Sequence, residues 1–189
     1  MRELLRRRSI AITGGAAFFS LGVLFLLYFF DQFDTAAFGT LAPNIERTFH
    51  LTDQSFGVIV VLNVSIVLLL AIPVSFLGDR LPRTKLVVLG GIAAGVFSFL
   101  TGLVGVAGFL ALFVAVRIGN GLGQLVNDPV HTSLLADYYA PAHRPRVYSM
   151  HRNAIYAGAA VGPIVAGGVS ALAGWRVAFM VLIVPILVV

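Results

Sequence analysis

The chain has 189 residues, of which 59% are hydrophobic and only 11% are charged. Soluble domains carry about 25% charged residues, so this composition excludes a soluble domain. It predicts an integral membrane protein that is embedded in a lipid bilayer. The net charge of +5 is carried by short connections between apolar segments, where cations orient a membrane protein, so it does not indicate binding to nucleic acid. The absence of cysteine from the sequence excludes disulfide bonds and thiolate metal sites.

The first apolar segment follows a basic stretch, as in a signal peptide, but it is too long and lacks a small-residue cleavage site, so we interpret it as a retained transmembrane helix. Residues 9–30 carry no charge, which is enough to cross a membrane. The span is predicted to cover residues 10–42, since no turn signal precedes Pro43. Asp31 and Asp34 lie three residues apart on one face of this helix. They either line a pathway for solute or protons, or mark the outer mouth of the helix.

Further uncharged runs predict five more spans. A polar loop is expected at residues 44–54, and Trp175 is expected at the membrane interface, which aromatic residues favour. A sixth helix that starts at Arg176 is too short for the hydrocarbon core, so we interpret the sequence as a fragment, a truncated reading frame or one part of a split protein. The predicted spans after the first are residues 55–78, 86–103, 108–138, 153–173 and 176–189.

The fourth predicted span carries a row of polar groups. The groups recur at helical spacing, so they are predicted to share one face. Each charged group at bilayer depth costs about 2.5–3.5 kcal/mol on insertion scales, so this face must point to protein or to a water-filled cavity rather than to lipid. We therefore predict that it lines half of a solute pathway. Its members are Arg117, Asn120, Gln124, Asn127, Asp128 and His131.

The distribution of cations predicts the orientation. Ten of the 13 Lys and Arg residues lie on one side of the predicted membrane, in the N-terminus and in two basic connections. Arg47 and Arg176 lie on the other side, and Arg117 is embedded. Because loops rich in Lys and Arg stay in the cytoplasm, the N-terminus is predicted to be cytoplasmic, and the plasma membrane is the predicted location.

The fifth predicted span contains a face of small residues suited to close helix packing. Glycine allows two helix backbones to approach closely in a membrane. A proline inside the helix is tolerated where neighbouring groups satisfy the freed carbonyl. The residues of this packing motif are Gly158, Gly162, Pro163, Gly167 and Gly168.

Motifs along the chain resemble, in order and separation, those of the N-terminal half of major facilitator superfamily transporters. SFLGDRLPRTK (residues 75–85) resembles the family's loop between spans two and three, and RIGNGLG (117–123) its fourth-span motif. GPIVAGG (162–168) resembles the fifth-span motif frequent in exporters and antiporters, and GWRVAF (174–179) a common opening of the sixth span. The resemblance implies an all-α membrane protein of six transmembrane helices, the sixth truncated, forming one half of a fold built from a 3+3 inverted repeat.

A finer resemblance is to the Spinster-type branch of that family, carried by DTAAFGTLAPNIERTF (residues 34–49). In that branch an aspartate at the position of Asp34 and an arginine at the position of Arg117 are implicated in proton coupling and gating. A glutamate often stands seven residues after the arginine, where this chain has Gln124, which cannot titrate. We hypothesise that Asp128 supplies the missing carboxylate.

Arg117 needs a compensating charge in the membrane, and Asp34 or Asp31 is the expected partner across a central cavity. Protonation of that aspartate would release the arginine and bias the inward-facing against the outward-facing state. The alternative is a permanent structural ion pair without coupling.

The family resemblance also implies a conformational latch formed by Asp79, Arg80, Arg83 and Asp137. In the family, the aspartate faces a helix N-terminus in the C-terminal half, and an arginine pairs with an acid at the end of the fourth span. A purely topogenic role would explain the cations but not Asp79. A C-terminal six-helix half, from a second chain or from missing sequence, is therefore an expected partner.

Two classes of function remain open. The chain is either the N-terminal half of a secondary active transporter that moves a small organic or amphiphilic solute, with or without protons, by alternating access, or a truncated or split membrane module that acts only by assembly with a partner half. No set of nucleophile, base and orienting group predicts an enzyme, and no cofactor is predicted. Asp128 and His131 offer only two ligands, so no metal site is predicted.

Overall fold

The computed structural model describes residues 15–78, 80–107, 109–125, 127–181 and 184. The described chain is helical, which confirms the predicted all-α fold. Its helices are α1 (Gly15–Thr40), α2 (Ala42–Phe49), α3 (Asp53–Gly78), α4 (Arg83–Ala107), α5 (Leu110–Gln124), α6 (Asn127–Tyr138), α7 (Arg144–Ala173) and α8 (Trp175–Val181).

Within the described residues, five helical stretches are long and apolar enough to cross a membrane. They are Phe18–Thr40, Asp53–Pro73, Arg83–Val106, Leu110–Tyr138 and Arg144–Ala173. The predicted sixth span corresponds to α8, and residues 182–183 and 185–189 lie outside the described part of the chain.

The predicted polar loop at 44–54 is in large part a helix, which corrects the sequence analysis. α2 has a proline in its first turn, where a missing N–H costs nothing. Ile45 is fully buried, so the segment packs one apolar side against the bundle. His50, with a φ of 54°, ends the helix in the left-handed conformation, and its N–H bonds to the carbonyl of Glu46.

The fifth spanning helix begins at Arg144, nine residues before the predicted start at residue 153. The predicted basic connection is therefore partly helical. Arg144 donates hydrogen bonds to the carbonyl oxygens of Ala136 (2.9 Å) and Tyr139 (3.0 Å), near the end of α6. A charged residue at this position stabilises the junction of two helices instead of marking a loop.

The helices α7 and α1 pack closely where they cross. A Cβ added to Gly158 would overlap the carbonyl oxygen of Phe29, and one added to Gly162 would lie 2.8 Å from the carbonyl oxygen of Phe33. These two glycines therefore let the backbones meet, as small residues do in membrane bundles. Pro163 follows this contact inside an uninterrupted helix.

The other half of the predicted packing motif needs correction. An added Cβ would have no neighbour within 4 Å among the described residues at either Gly167 or Gly168. The buried face of α7 carries Gly158, Gly162 and Ala166 at a spacing of four residues, and Ala166 packs in the same cluster as residues of α1. Gly167 and Gly168 lie off this face, so they do not point at α1.

Trp175, which was expected at the level of the membrane interface, is buried between helices of the bundle. Its side chain is 5% exposed and packs edge-on against the rings of Phe113 and Phe179. The indole N–H donates a hydrogen bond of 3.0 Å to the hydroxyl of Thr48, which satisfies the one polar group of the ring. Trp175 therefore ties α2 to α8.

Candidate functional site

A buried ion pair joins α1 and α5. The Arg117 guanidinium donates through Nη1 to Oδ2 of Asp34 at 2.9 Å, and the two residues are 9% and 2% exposed. Ser98 of α4 donates its hydroxyl to Oδ1 of the same carboxylate at 2.6 Å. Both oxygens of the aspartate therefore have a partner, which is the arrangement that an ionised carboxylate needs when it leaves water.

Two aromatic rings contact the guanidinium of Arg117. The Cζ atom of Arg117 lies 4.2 Å from the ring centroid of Phe38 and 5.7 Å from that of Phe179. The negative face of an aromatic ring attracts a cation within about 6 Å. Arg117 is thus positioned by one carboxylate and two rings, and the rings do not titrate.

A cavity of about 400 Å³ opens beside this pair, between α1, α3 and α5. Arg117 supplies the charge of its lining, and apolar side chains of α3 supply most of its wall. The amide nitrogen of Asn63 is buried and has no hydrogen-bond partner among the described residues. The polar and aromatic lining residues are Thr35, Phe38, Asn63, Arg117, Asn120 and Gln124.

A second, much smaller cavity reaches the acidic side of the pair. It is lined in part by Asp31, Asp34, Ser98 and Asn120. Asp31 is 5% exposed, so both aspartates predicted from the sequence are buried in the bundle. Their burial does not fit the alternative in which they only mark the mouth of the helix.

The predicted polar row on the fourth span divides into two groups. Arg117, Asn120 and Gln124 line the larger cavity, where Gln124 donates to Oδ1 of Asn120 at 3.0 Å and Asn120 donates to the carbonyl of Ala94 at 3.2 Å. The row lies on two helices, α5 and α6, with residue 126 outside the described chain. Asn127 and Asp128 belong to α6, but their side chains lie outside the described residues.

His131 does not line the cavity, which corrects its predicted place in one continuous pathway. It is fully buried, and its Nδ1 lies 3.1 Å from Nε2 of His151. The ring of Tyr28 packs edge-on against His131 and stacks on His151. Fourteen residues of helix advance about 20 Å, which places His131 well beyond Arg117 and outside the described lining of this cavity.

Several contacts at the site were missed by the sequence analysis. Ser98 and Asn63 are single uncharged polar residues in apolar spans, and such residues give no signal of their own. Phe38 and Phe179 are aromatic residues in apolar helices, and their sequence context does not distinguish them from other aromatic residues. His151 fell in a stretch predicted to be a loop. Asn63 is a polar residue inside an apolar span, but its position matches no motif that would predict a role.

The predicted latch is partly visible on the surface. Arg83 donates through Nη1 to Oδ2 of Asp137 at 2.7 Å, with the side chains 51% and 59% exposed. Arg80 is exposed, and Asp79 lies outside the described residues. The pair joins the start of α4 to the end of α6.

Replacing Arg83 by alanine is expected to lower the free energy of unfolding by only about 0.2–1 kcal/mol, because water and salt screen an exposed ion pair. The measurement is unfolding of the purified protein in detergent at low and at high salt. Arg80→Ala, which removes an exposed cation from the same connection, is the control. A loss that stays the same at high salt would show that the Arg83–Asp137 attraction is not its cause.

Known proteins with similar sequences are membrane transporters. The sequence profile of the Major Facilitator Superfamily matches residues 24–189. The chain is 27% identical over 162 residues to the probable sulfoacetate transporter SauU of Cupriavidus necator, covering 86% of this chain and 37% of that protein. It is 31% identical over 157 residues to protein spinster homolog 1 of Homo sapiens, covering 82% of this chain and 29% of that protein. A gallate transporter of Pseudomonas putida is 25% identical over 156 residues, with 82% and 34% covered.

Solved structures show the same fold. A bacterial homolog of the human lysosomal transporter Spinster, in an inward-facing and occupied conformation, aligns with a TM-score of 0.77 at 22% identity, covering 90% of this chain and 42% of that one. The inward-facing and unoccupied conformation aligns with a TM-score of 0.79 at 20% identity, covering 93% and 42%. The chain therefore spans less than half the length of the proteins it matches, and its family is that of the profile: it belongs to the Major Facilitator Superfamily.

Proposed function

We propose that this chain forms the N-terminal half of a secondary active transporter, which moves a small organic or amphiphilic solute across a membrane by alternating access. The observation that carries the proposal is the buried Asp34–Arg117 pair beside a cavity of about 400 Å³. Charges inside a membrane protein are costly, and they commonly line the path of a solute or an ion. Pockets of 300–1,000 Å³ are the size that small molecules occupy.

The position of the pair supports the same function. In a half built from an inverted repeat, the first and fourth spans are equivalent helices that meet near the middle of the membrane. Here α1 supplies Asp34 and α5 supplies Arg117. The proposal places the N-terminus in the cytoplasm and the protein in the plasma membrane, in keeping with the excess of cations in the N-terminus and the basic connections.

The proposal includes a C-terminal six-helix half that closes the other side of the cavity. Many apolar residues of α3 are exposed, including Val61, Leu68, Leu69 and Ile72. Lipid or a second half of the transporter would cover such a surface. The latch pair Arg83–Asp137 would then act against that second half.

A proton is the proposed coupling ion. Protonation of Asp34 removes the charge that holds Arg117, so the pair separates and the cation becomes available to the cavity. Ser98 keeps the aspartate in place in either state, because a hydroxyl can both donate and accept. The competing interpretation is a permanent structural pair that never changes its protonation.

The names of two relatives suggest the class of solute. Sulfoacetate and gallate, which those transporters are named for, are both small organic acids. A cation in an otherwise apolar cavity suits such compounds. Radiolabelled sulfoacetate and gallate are therefore the first probes for uptake.

The Asp34→Asn variant tests the coupling. In proteoliposomes with an imposed pH gradient, we expect solute-driven proton flux to fall at least tenfold, because asparagine cannot carry the proton. Asp53→Asn, which changes an exposed acid at the start of α3, is the matched control and should keep most of the flux. Undiminished flux in Asp34→Asn would remove this residue from the coupling mechanism and leave the structural pair as its role.

The same assay separates the two classes of function. Uptake is measured for the chain alone and for the chain co-expressed with a C-terminal half. Accumulation that requires both halves supports the transporter. If neither preparation accumulates any probe, although the two halves assemble, the non-transporting membrane module is the better description.

A further inference from the structure

The unpartnered amide of Asn63 is the feature of the cavity that ion pairing does not explain. Its nitrogen is buried and has no hydrogen-bond partner among the described residues, although the side chain lines the cavity. A buried donor without an acceptor costs free energy, so it is kept where an acceptor arrives from outside. The χ2 torsion of asparagine is loosely constrained, so a rotation about it would turn the NH2 group toward a ligand in the cavity.

Arg117 lies on the same cavity and has donors to spare. A guanidinium carries five N–H donors, and within the described residues the hydrogen bond of Arg117 uses one nitrogen, Nη1. Asn63 comes from α3 and Arg117 from α5. The two donor groups thus reach the cavity from different helices.

Most of the remaining described wall of the cavity is apolar, and its other polar members, Thr35, Asn120 and Gln124, are uncharged. Val60, Val64, Val67 and Leu68 of α3 belong to it, and none of the described lining residues is acidic. A cationic solute would find no counter-charge there, and a fully polar one would be desolvated against aliphatic side chains. The wall therefore favours a solute with an anionic head and an apolar body.

We propose that this cavity binds a small organic anion, with its carboxylate or sulfonate on Arg117 and on the amide of Asn63, and its apolar body along α3. Asn63 then determines specificity for the anionic head. The inference rests on the proposed function and makes it more specific: the bound anion brings the negative charge that Asp34 loses when it takes up a proton.

Four replacements test the proposal by binding, with the preparation used for uptake. Asn63→Leu removes the amide at similar volume, Asn63→Asp puts a negative charge in its place, and Asn63→Ser restores a small donor. Ser65→Ala is the matched control, since Ser65 lies on α3 but does not line the cavity. The probes are sulfoacetate, gallate and octane-1-sulfonate, each against a neutral counterpart such as methyl gallate or octane-1-sulfonamide, by isothermal titration calorimetry.

We expect Asn63→Leu to weaken binding of the tightest anion by about tenfold to a hundredfold, the usual effect of losing a hydrogen bond to a charged group. Asn63→Asp should weaken it further, Asn63→Ser should recover part of it, and Ser65→Ala should leave it unchanged. Neutral counterparts should bind more weakly and respond little to Asn63→Leu.

Thermal unfolding separates this role from a structural one. Because Asn63→Leu removes an unpaired buried donor, the variant should unfold at the same or a higher temperature while it loses anion binding. A lower unfolding temperature together with unchanged binding would mean that Asn63 serves the fold.

Other outcomes would overturn the proposal or separate it from the transport function. Binding within twofold of the unchanged protein in Asn63→Leu, equal affinity for the neutral counterparts, or no binding of any anion in the panel would each overturn the proposal. If the binding pattern holds but no uptake occurs, the inferred anion site stands and the transport function fails. If uptake occurs but does not respond to Asn63, the function stands and the site fails.

Discussion

Replacing Arg117 by methionine is expected to lower the free energy of unfolding by about 3–5 kcal/mol. Methionine fills much of the same space, so the loss comes from charge and not from a cavity. Asp34, at 2% exposure, would keep Ser98 as a partner but would lose its counter-ion. The measurement is reversible unfolding in mixed detergent micelles at neutral pH.

The double variant Asp34→Asn with Arg117→Met is the decisive control. Removing both charges avoids an uncompensated buried ion, so the pair of changes should restore most of the stability that the single change loses. We expect no solute uptake by the single variant Arg117→Met or by the double variant. Additive losses in the double variant would show that the two residues do not depend on each other, contrary to the short contact between them.

Replacing Gly158 by alanine is expected to destabilise the protein by about 1–3 kcal/mol, although alanine is the better helix former. The added Cβ would overlap the carbonyl oxygen of Phe29, and a backbone atom cannot turn aside as a side chain can. The helices α1 and α7 must therefore separate. Thermal unfolding in detergent measures the loss.

Gly167→Ala provides the matched control in the same helix. Its added Cβ meets no described atom within 4 Å, so the change should be neutral or stabilising by up to about 1 kcal/mol. Equal losses at both positions would point to a general requirement for glycine in α7 and not to the crossing with α1.

The ion pair could be anticipated because the two charges stand in long apolar runs. A lone cation inside the membrane needs a compensating negative charge, and an acid on the equivalent helix of the repeat can supply it. Helical spacing did not decide between Asp31 and Asp34, since both lie on one face, and only the family resemblance pointed to Asp34. The helix geometry decides it: Asp34 is the one that holds Arg117.

The contacts that refine the site were beyond sequence reasoning. Ser98, Phe38 and Asn63 are common residue types in apolar helices, and their roles depend on which helix lies opposite. The predicted start of α7 was wrong for a related reason. Arg144 looked like part of a loop because its hydrogen bonds to the end of α6 are formed only in the folded bundle.

The two rings around Arg117 also bear on the sequence of events during a transport cycle. Phe38 and Phe179 attract the guanidinium whether or not the aspartate is charged, so in the proposed mechanism they would keep the cation oriented beside the cavity once the pair with Asp34 separates. Under the proposed mechanism, an incoming anion would then meet a cation that is already oriented, so its binding would require little rearrangement. The proposed order of events is therefore proton uptake first and solute binding second.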